Sequence, residues 1–284
     1  TAIRRQRQMC IRDRFSILFV LISRTPLFFL KAISFIFFLI AYFFKTSQLE
    51  VTKKNINHCF GDDKKLINKS FEETAQLSLL FPYVWGKKDN YKNLIDSDYL
   101  HEQSLKSDRP KLFFTLHMGC VDILVFVLSE LLSQIDILYT PAKNKVLEQK
   151  LLKIRQRQGA SMFPATPNGV KNLYKNYLDK SNVLIASDLV PHEKGVYEKF
   201  FNKECFCIDL IEKLSQKGTH DLFLIYLTKG KHKKYRVVCK KVQDQINTAE
   251  MNKFFEEAIL TAPELYSWEY KKFRKLRPNK SNIY

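Results

Sequence analysis

Residues 113–124 read FFTLHMGCVDIL, and within them His117 and Asp122 have four residues between them. On one ideal helix that offset is about 500°, so the two side chains would diverge. They can meet if His117 ends a strand and Asp122 opens the following helix. The carboxylate could then accept a hydrogen bond from His117 Nδ1–H and leave Nε2 as a base, the division of labour in a His–Asp pair. Gly119 permits the tight turn between them, and a helix N-terminus offers amides to a developing oxyanion. The same residue types also suit a purely structural pair bracing a turn. Spacing alone leaves both readings open.

The elements that must position the pair are legible around it. Residues 112–116 (LFFTL) read as a buried strand, 121–132 as a helix and 135–139 (IDILY) as a strand. A basic helix over 143–158 follows, then a helix from about Asn168 to Leu178 and a strand over 182–187 (NVLIAS). After a loop containing PHEKG come strands at 222–228 and 235–240 and a helix at 248–260. Upstream, residues 51–85 have helical spacing, with Asp62 or Asp63 as the N-cap of KKLINKSFEET. This alternation predicts an α/β fold, a mixed sheet flanked by helices.

The N-terminal region has a different texture. Leu27 to Phe44 runs LFFLKAISFIFFLIAYFF, eight aromatics with Lys31 as the single charge. Its length is at the short end for crossing a bilayer, and basic residues flank it on both sides, which leaves its orientation undecided. Three regions are expected: residues 1–14 as a scar or disordered, 15–44 as an N-terminal membrane helix that spans or lies on the bilayer, and 45–284 as a catalytic-size domain. Across the chain 47 Lys and Arg oppose 29 Asp and Glu, a net charge of +18, while 45% of residues are hydrophobic. A disordered polycation is therefore excluded, and an anionic partner is expected. No helix-turn-helix, RNA-recognition or zinc-finger pattern is present, and the basic residues are dispersed, so a membrane fits better than nucleic acid. Six cysteines without CxxC suit a reducing compartment and read as small apolar residues. The histidines lack metal-ligand spacing, so no metal is expected.

Several blocks together resemble the bacterial lipid A late acyltransferases, a branch of the lysophospholipid acyltransferase superfamily defined by HxxxxD/E. His117 to Asp122 match that motif. KKNINHCFGDDKKLINKSFEET (53–74), LYTPAKNKVLEQKLLKIRQRQG (138–159) and IASDLVPHEKGVYEKFF (185–201) resemble three further blocks, and APELYSWEYKKFRKLRP (262–278) resembles the C-terminal signature. The resemblance implies a glycerolipid acyltransferase-like fold and a cleft facing the membrane, at the cytoplasmic side of a bacterial inner membrane. It implies transfer of an acyl chain from acyl carrier protein onto a hydroxyl of a phosphorylated glycolipid, a lipid A precursor, with no cofactor. His117 would be the general base and Asp122 its orienting partner. Arg155, Arg157, Arg274 and Arg277 would grip acceptor phosphate or carboxylate, and Asp188 would hold a basic partner in place.

The chain also departs from that pattern. Thr140 stands where many members have arginine, Tyr270 where histidine is usual and Leu265 where glutamine is usual; residues 205–218 lack a common Thr-Gly character. These changes spare His117 and Asp122 but leave the acceptor open. The same chemistry on a glycerolipid, ornithine lipid or polyene is one alternative. A non-catalytic basic membrane-binding homologue is another. The basic run at 229–241 suits a carrier-protein dock, a headgroup contact or a solvated strand edge.

Overall fold

The computed structural model describes residues 19–96, 105, 107–132, 134–277 and 281–284. The expected scar at residues 1–14 lies outside them. Residues 19–24 are helical, and three helices follow: α1 (Leu27–Phe43), α2 (Ser47–Phe60) and α3 (Lys64–Gly86). The helical spacing expected from Val51 onward is broken at Gly61, whose φ of +83° ends α2. Asp63 then caps α3 by accepting from the Leu66 N–H at 2.9 Å.

The α/β body follows as β1 (Lys111–Thr115), α4 (Asp122–Leu132), β2 (Ile135–Tyr139), α5 (Lys145–Gln156), β3 (Ala160–Pro164), α6 (Pro167–Leu178) and β4 (Val183–Ala186). A hairpin of β5 (Val196–Phe200) and β6 (Lys203–Cys207) and the short α7 (Leu210–Ser215) precede β7 (Asp221–Lys229), β8 (Tyr235–Lys241) and α8 (Thr248–Thr261). Six strands form one sheet in the order β3-β2-β4-β1-β7-β8. All neighbours are parallel except β7 and β8. The mixed α/β sheet between helices is as expected, while β3, the β5–β6 hairpin and α7 were not anticipated.

Strand character follows position. β1 and β4 lie at the centre, and β1 is buried at all five residues, so LFF of β1 and VLIA of β4 read as apolar runs. β8 is an edge. Its basic residues face outward, and Lys241 pairs with Asp221 at 3.0 Å, so the basic run over 229–241 is in large part a charged strand edge.

The crossovers define where a site can sit. The chain leaves β1 through α4 toward β2, beyond β4 on one side. It leaves β4 toward β7, beyond β1 on the other. The C-terminal ends of β1 and β4 thus flank a topological switch point, where ligands of open α/β sheets bind.

Of the stretch expected as an N-terminal membrane helix, residues 27–43 form α1. Among the described residues no single helix is long and apolar enough to cross a membrane; only α1 and α2 together qualify by composition, and they are bent by 81°. α1 packs on α3 through Leu30, Ser34 and the Phe38–Phe71 ring pair. Its other face leaves large apolar side chains uncovered, with Phe28 75% and Phe43 79% exposed.

Candidate active site

Register places the first two groups. Thr115 of β1 and Ala186 of β4 are parallel neighbours, and Ser187 N–H donates to Thr115 O at 3.0 Å. His117 and Asp188 each stand two residues beyond that pair, at the same edge of the sheet. One Asp188 oxygen lies 2.8 Å from His117 Nδ1, and the other accepts the His117 backbone N–H at 3.0 Å. The carboxylate is 2% exposed and the imidazole 32%. A buried carboxylate can only accept, so Nδ1 carries the proton and Nε2 is left with its lone pair.

The electrostatics agree with this assignment. Burial disfavours a charged imidazole, but Asp188 outweighs it, with Glu269 and Asp122 adding, and the His117 pKa is raised above the ordinary histidine value. Burial likewise works against the Asp188 carboxylate, yet the charge of His117, its two hydrogen bonds and the charge of Lys272 prevail and the pKa is lowered. From behind, the buried Lys272 donates to the Asp188 carbonyl at 2.6 Å.

Asp122 does not meet His117 in the way the HxxxxD spacing suggests. It opens α4, where a negative charge suits the helix N-terminus, and it binds Arg155 through both carboxylate oxygens, Nε to Oδ1 and Nη2 to Oδ2 at 3.1 Å each. Trp85 Nε1 donates to it at 2.5 Å. The expected Nδ1 partner is thus replaced by Asp188, because the turn through Gly119 carries Asp122 toward α5. That turn needs glycine: φ is +64°, and a Cβ there would lie 2.9 Å from the Tyr235 ring.

The remaining arginines have protein partners of their own. Arg157 donates to the carbonyls of Val84, Trp85 and Lys87 and covers the Phe126 ring, so it caps α3 rather than facing a phosphate. Arg274 donates to Val190 O at 3.1 Å and stacks on Tyr270. Arg277 pairs with Glu204 at 3.4 Å over the Tyr197 ring. Tyr270, the departure from histidine, has a visible job: its hydroxyl accepts the Val190 N–H at 2.8 Å. The C-terminal block therefore straps down the loop that follows Asp188.

That block also brings a residue that motif reading missed. Ser267 N–H donates to His117 O at 3.0 Å, and Met118 bridges to Tyr266, which brings Glu269 near enough for its charge to favour a charged imidazole. Thr74 donates to Glu269 at 3.2 Å. Burial holds the Glu269 carboxyl above the usual carboxylate range, against the pull of its own backbone, Thr74 and His117. The signal was an acidic residue directly after the Trp of an otherwise aromatic and basic signature. Among the described residues no three His, Cys, Asp or Glu side chains are grouped to hold a metal ion.

His117 thus stands at a switch point, held by the buried Asp188 rather than by Asp122 and bonded through its carbonyl to the C-terminal block. The profile of the bacterial lipid A biosynthesis acyltransferases matches residues 14–275. The chain belongs to the bacterial lipid A biosynthesis acyltransferase family. Membership implies an acyltransferase that uses an acyl donor and a lipid A-type acceptor. No curated protein matches the sequence. Within this acyltransferase, His117, Asp188, Asp122 and Arg155 converge at one end of the sheet, whereas Arg157 and Arg274 bind backbone carbonyls and Arg277 pairs with Glu204.

Proposed function

We propose that this acyltransferase moves an acyl chain from an acyl carrier protein thioester to a hydroxyl of a phosphorylated lipid A precursor, with His117 as general base. One observation carries the reading: Asp188 holds Nδ1 and the backbone N–H of the same histidine, which directs the lone pair of Nε2 outward at the switch point. Nε2 takes the proton of the acceptor hydroxyl as its oxygen attacks the thioester carbonyl. Asp188 stabilises the imidazolium that forms, and the tetrahedral intermediate collapses by expelling the thiolate, which the imidazolium can protonate. No covalent enzyme intermediate is needed, since a thiolate already leaves readily.

Asp122 acts through Arg155. It takes Nε and Nη2 of the guanidinium, and among the described residues Nη1 has no protein partner. Of the expected four, Arg155 is the one held by Asp122 at the His117 end of the sheet, and the free part of its fork can turn to a phosphate or oxyanion there. The uncovered face of α1 supports seating in the cytoplasmic leaflet of the inner membrane, with α1 lying along the surface and the +18 charge attracted to anionic lipid.

The test is acyl transfer by the purified full chain from acyl carrier protein thioester to a lipid A precursor, read by product mass. Transfer by wild type and its loss in His117→Ala support the reading; transfer retained by His117→Ala overturns the mechanism. Because three of the four expected phosphate arginines bind backbone or Glu204, a second acceptor class is worth testing in parallel. A hydroxylated lipid without phosphate, acylated faster than the lipid A precursor, would move the assignment there.

A further inference from the structure

Cys205 and Cys207 stand two apart on β6, so their side chains share one face of the strand. Both are fully buried, and their sulfurs are 3.2 Å apart. Asn252 Nδ2 donates to Cys207 Sγ at 3.3 Å. The ammonium of Lys272, 2% exposed, lies over the Phe200 ring and donates to one protein oxygen, the Asp188 carbonyl. An ammonium has three donors and in a sealed site requires an anion close by. The groups that favour its charged form are the two cysteines first and then Asp188. Hydrogen bonding between the cysteines splits them, lowering Cys207 and raising Cys205, which makes Cys207 the readier of the two to ionise. Cysteines that only fill space have no such convergence of an amide, an ammonium and a second thiol. The pair falls in the segment 205–218, which departs from the family's Thr-Gly character.

We propose that Cys205 and Cys207 form a dithiol site that a hydroperoxide oxidises reversibly to an intrastrand disulfide, and that Lys272 transmits its state to Asp188 and His117. The Cys207 thiolate attacks one peroxide oxygen; the O–O bond breaks, and the departing hydroxide takes a proton to become water. The Cys205 sulfur, losing its proton, then displaces the hydroxyl of the Cys207 sulfenic acid as a second water and forms the S–S bond. Two sulfurs are oxidised by two electrons in all, and one peroxide is reduced. Residues i and i+2 of a strand are about 6.6 Å apart at Cα, near the long end of the disulfide range, so closing the bridge must draw β6 in locally, and a bridge strained in this way is readily reduced by a dithiol. Oxidation removes the ionisable sulfur whose charge favours the charged form of Lys272. The ammonium then draws on Asp188, the carboxylate that holds His117.

The chemistry of the pair is independent of the acyltransferase reading, and only its effect on transfer rests on that reading. Full-length protein is treated with hydrogen peroxide, quenched under denaturing conditions with iodoacetamide, and digested with trypsin. The peptide Glu204–Lys213 holds both cysteines. Its recovery unalkylated and lighter by two hydrogens, with both thiols restored by dithiothreitol, supports the site. Both thiols still alkylated, or either carried to sulfinic acid without a bridge, overturns it. In the same samples acyl transfer by wild type should fall with peroxide and recover with dithiothreitol. Cys205→Ser and Cys207→Ser should keep their own untreated rates. A bridge that forms in an active enzyme without changing transfer overturns the link through Lys272. A reduced wild type that transfers nothing counts against the acyltransferase reading alone, because the mass readout stands without it.

Discussion

The Asp188 carboxylate holds His117 twice, by the ring at 2.8 Å and by the backbone N–H at 3.0 Å. One side chain therefore sets both the tautomer of the imidazole and the path of the chain that carries it.

Asparagine at 188 can reproduce only half of this clamp, since its amide nitrogen is a donor facing one of two donors. Asp188→Asn should lower kcat by about 10²–10⁴-fold, in the range for a disabled general base. The pH profile separates this from a structural defect. His117 is the base when neutral, and its pKa is raised, so the rate of wild type should climb as pH rises through that raised value. Without the carboxylate the limb should move to lower pH. An unmoved limb would mean that Asp188 does not act on His117.

Asp122 and Arg155 should behave as a unit. Removing Asp122 leaves a largely buried guanidinium and the Trp85 N–H unpartnered, and breaking such a pair costs about 3–5 kcal/mol. Thermal melts of Asp122→Ala, Arg155→Ala and the double variant should show strong non-additivity. His117→Ala should melt close to wild type while losing transfer. Additive losses at 122 and 155 would contradict the bidentate geometry.

Lysine at 155 and at 157 should differ in kind. Arg157→Lys gives up several carbonyl contacts at the end of α3, so it should lower stability by about 1–3 kcal/mol with little change in KM for a phosphorylated acceptor. Arg155→Lys should raise KM for that acceptor more than for its dephosphorylated form. Equal KM effects of Arg155→Lys on both acceptors would remove the phosphate role.

The uncovered face of α1 predicts a membrane contact that salt does not abolish. Burying a Phe side chain is worth roughly 1.5–3 kcal/mol, so changing Phe28, Phe43 and Phe44 together to Ser should weaken vesicle partitioning by at least about 10²-fold. Circular dichroism should stay unchanged, because none of the three faces the core. Leu30→Asp, buried against α3, should instead unfold the helical layer. Unaltered partitioning of the triple variant in flotation assays would place the membrane surface elsewhere.

Much of this protein is decided by the sequence alone. The apolar runs of β1, β4 and β7, the glycine turn after His117, the apolar length of α1 and the C-terminal signature are local patterns, and local patterns set element type and family. Which carboxylate meets His117 is not local. Asp188 is 71 residues away and arrives because β4 inserts beside β1 in parallel register, a choice made by packing and crossover rather than by spacing. The HxxxxD motif suggested the nearer aspartate, and tertiary structure turned it toward Arg155 instead. Arg157 looked equivalent to Arg155 in sequence, two positions along one basic helix. Only the fold brings the end of α3 against it, where unpaired carbonyls at a helix terminus need donors, and that need claims its guanidinium.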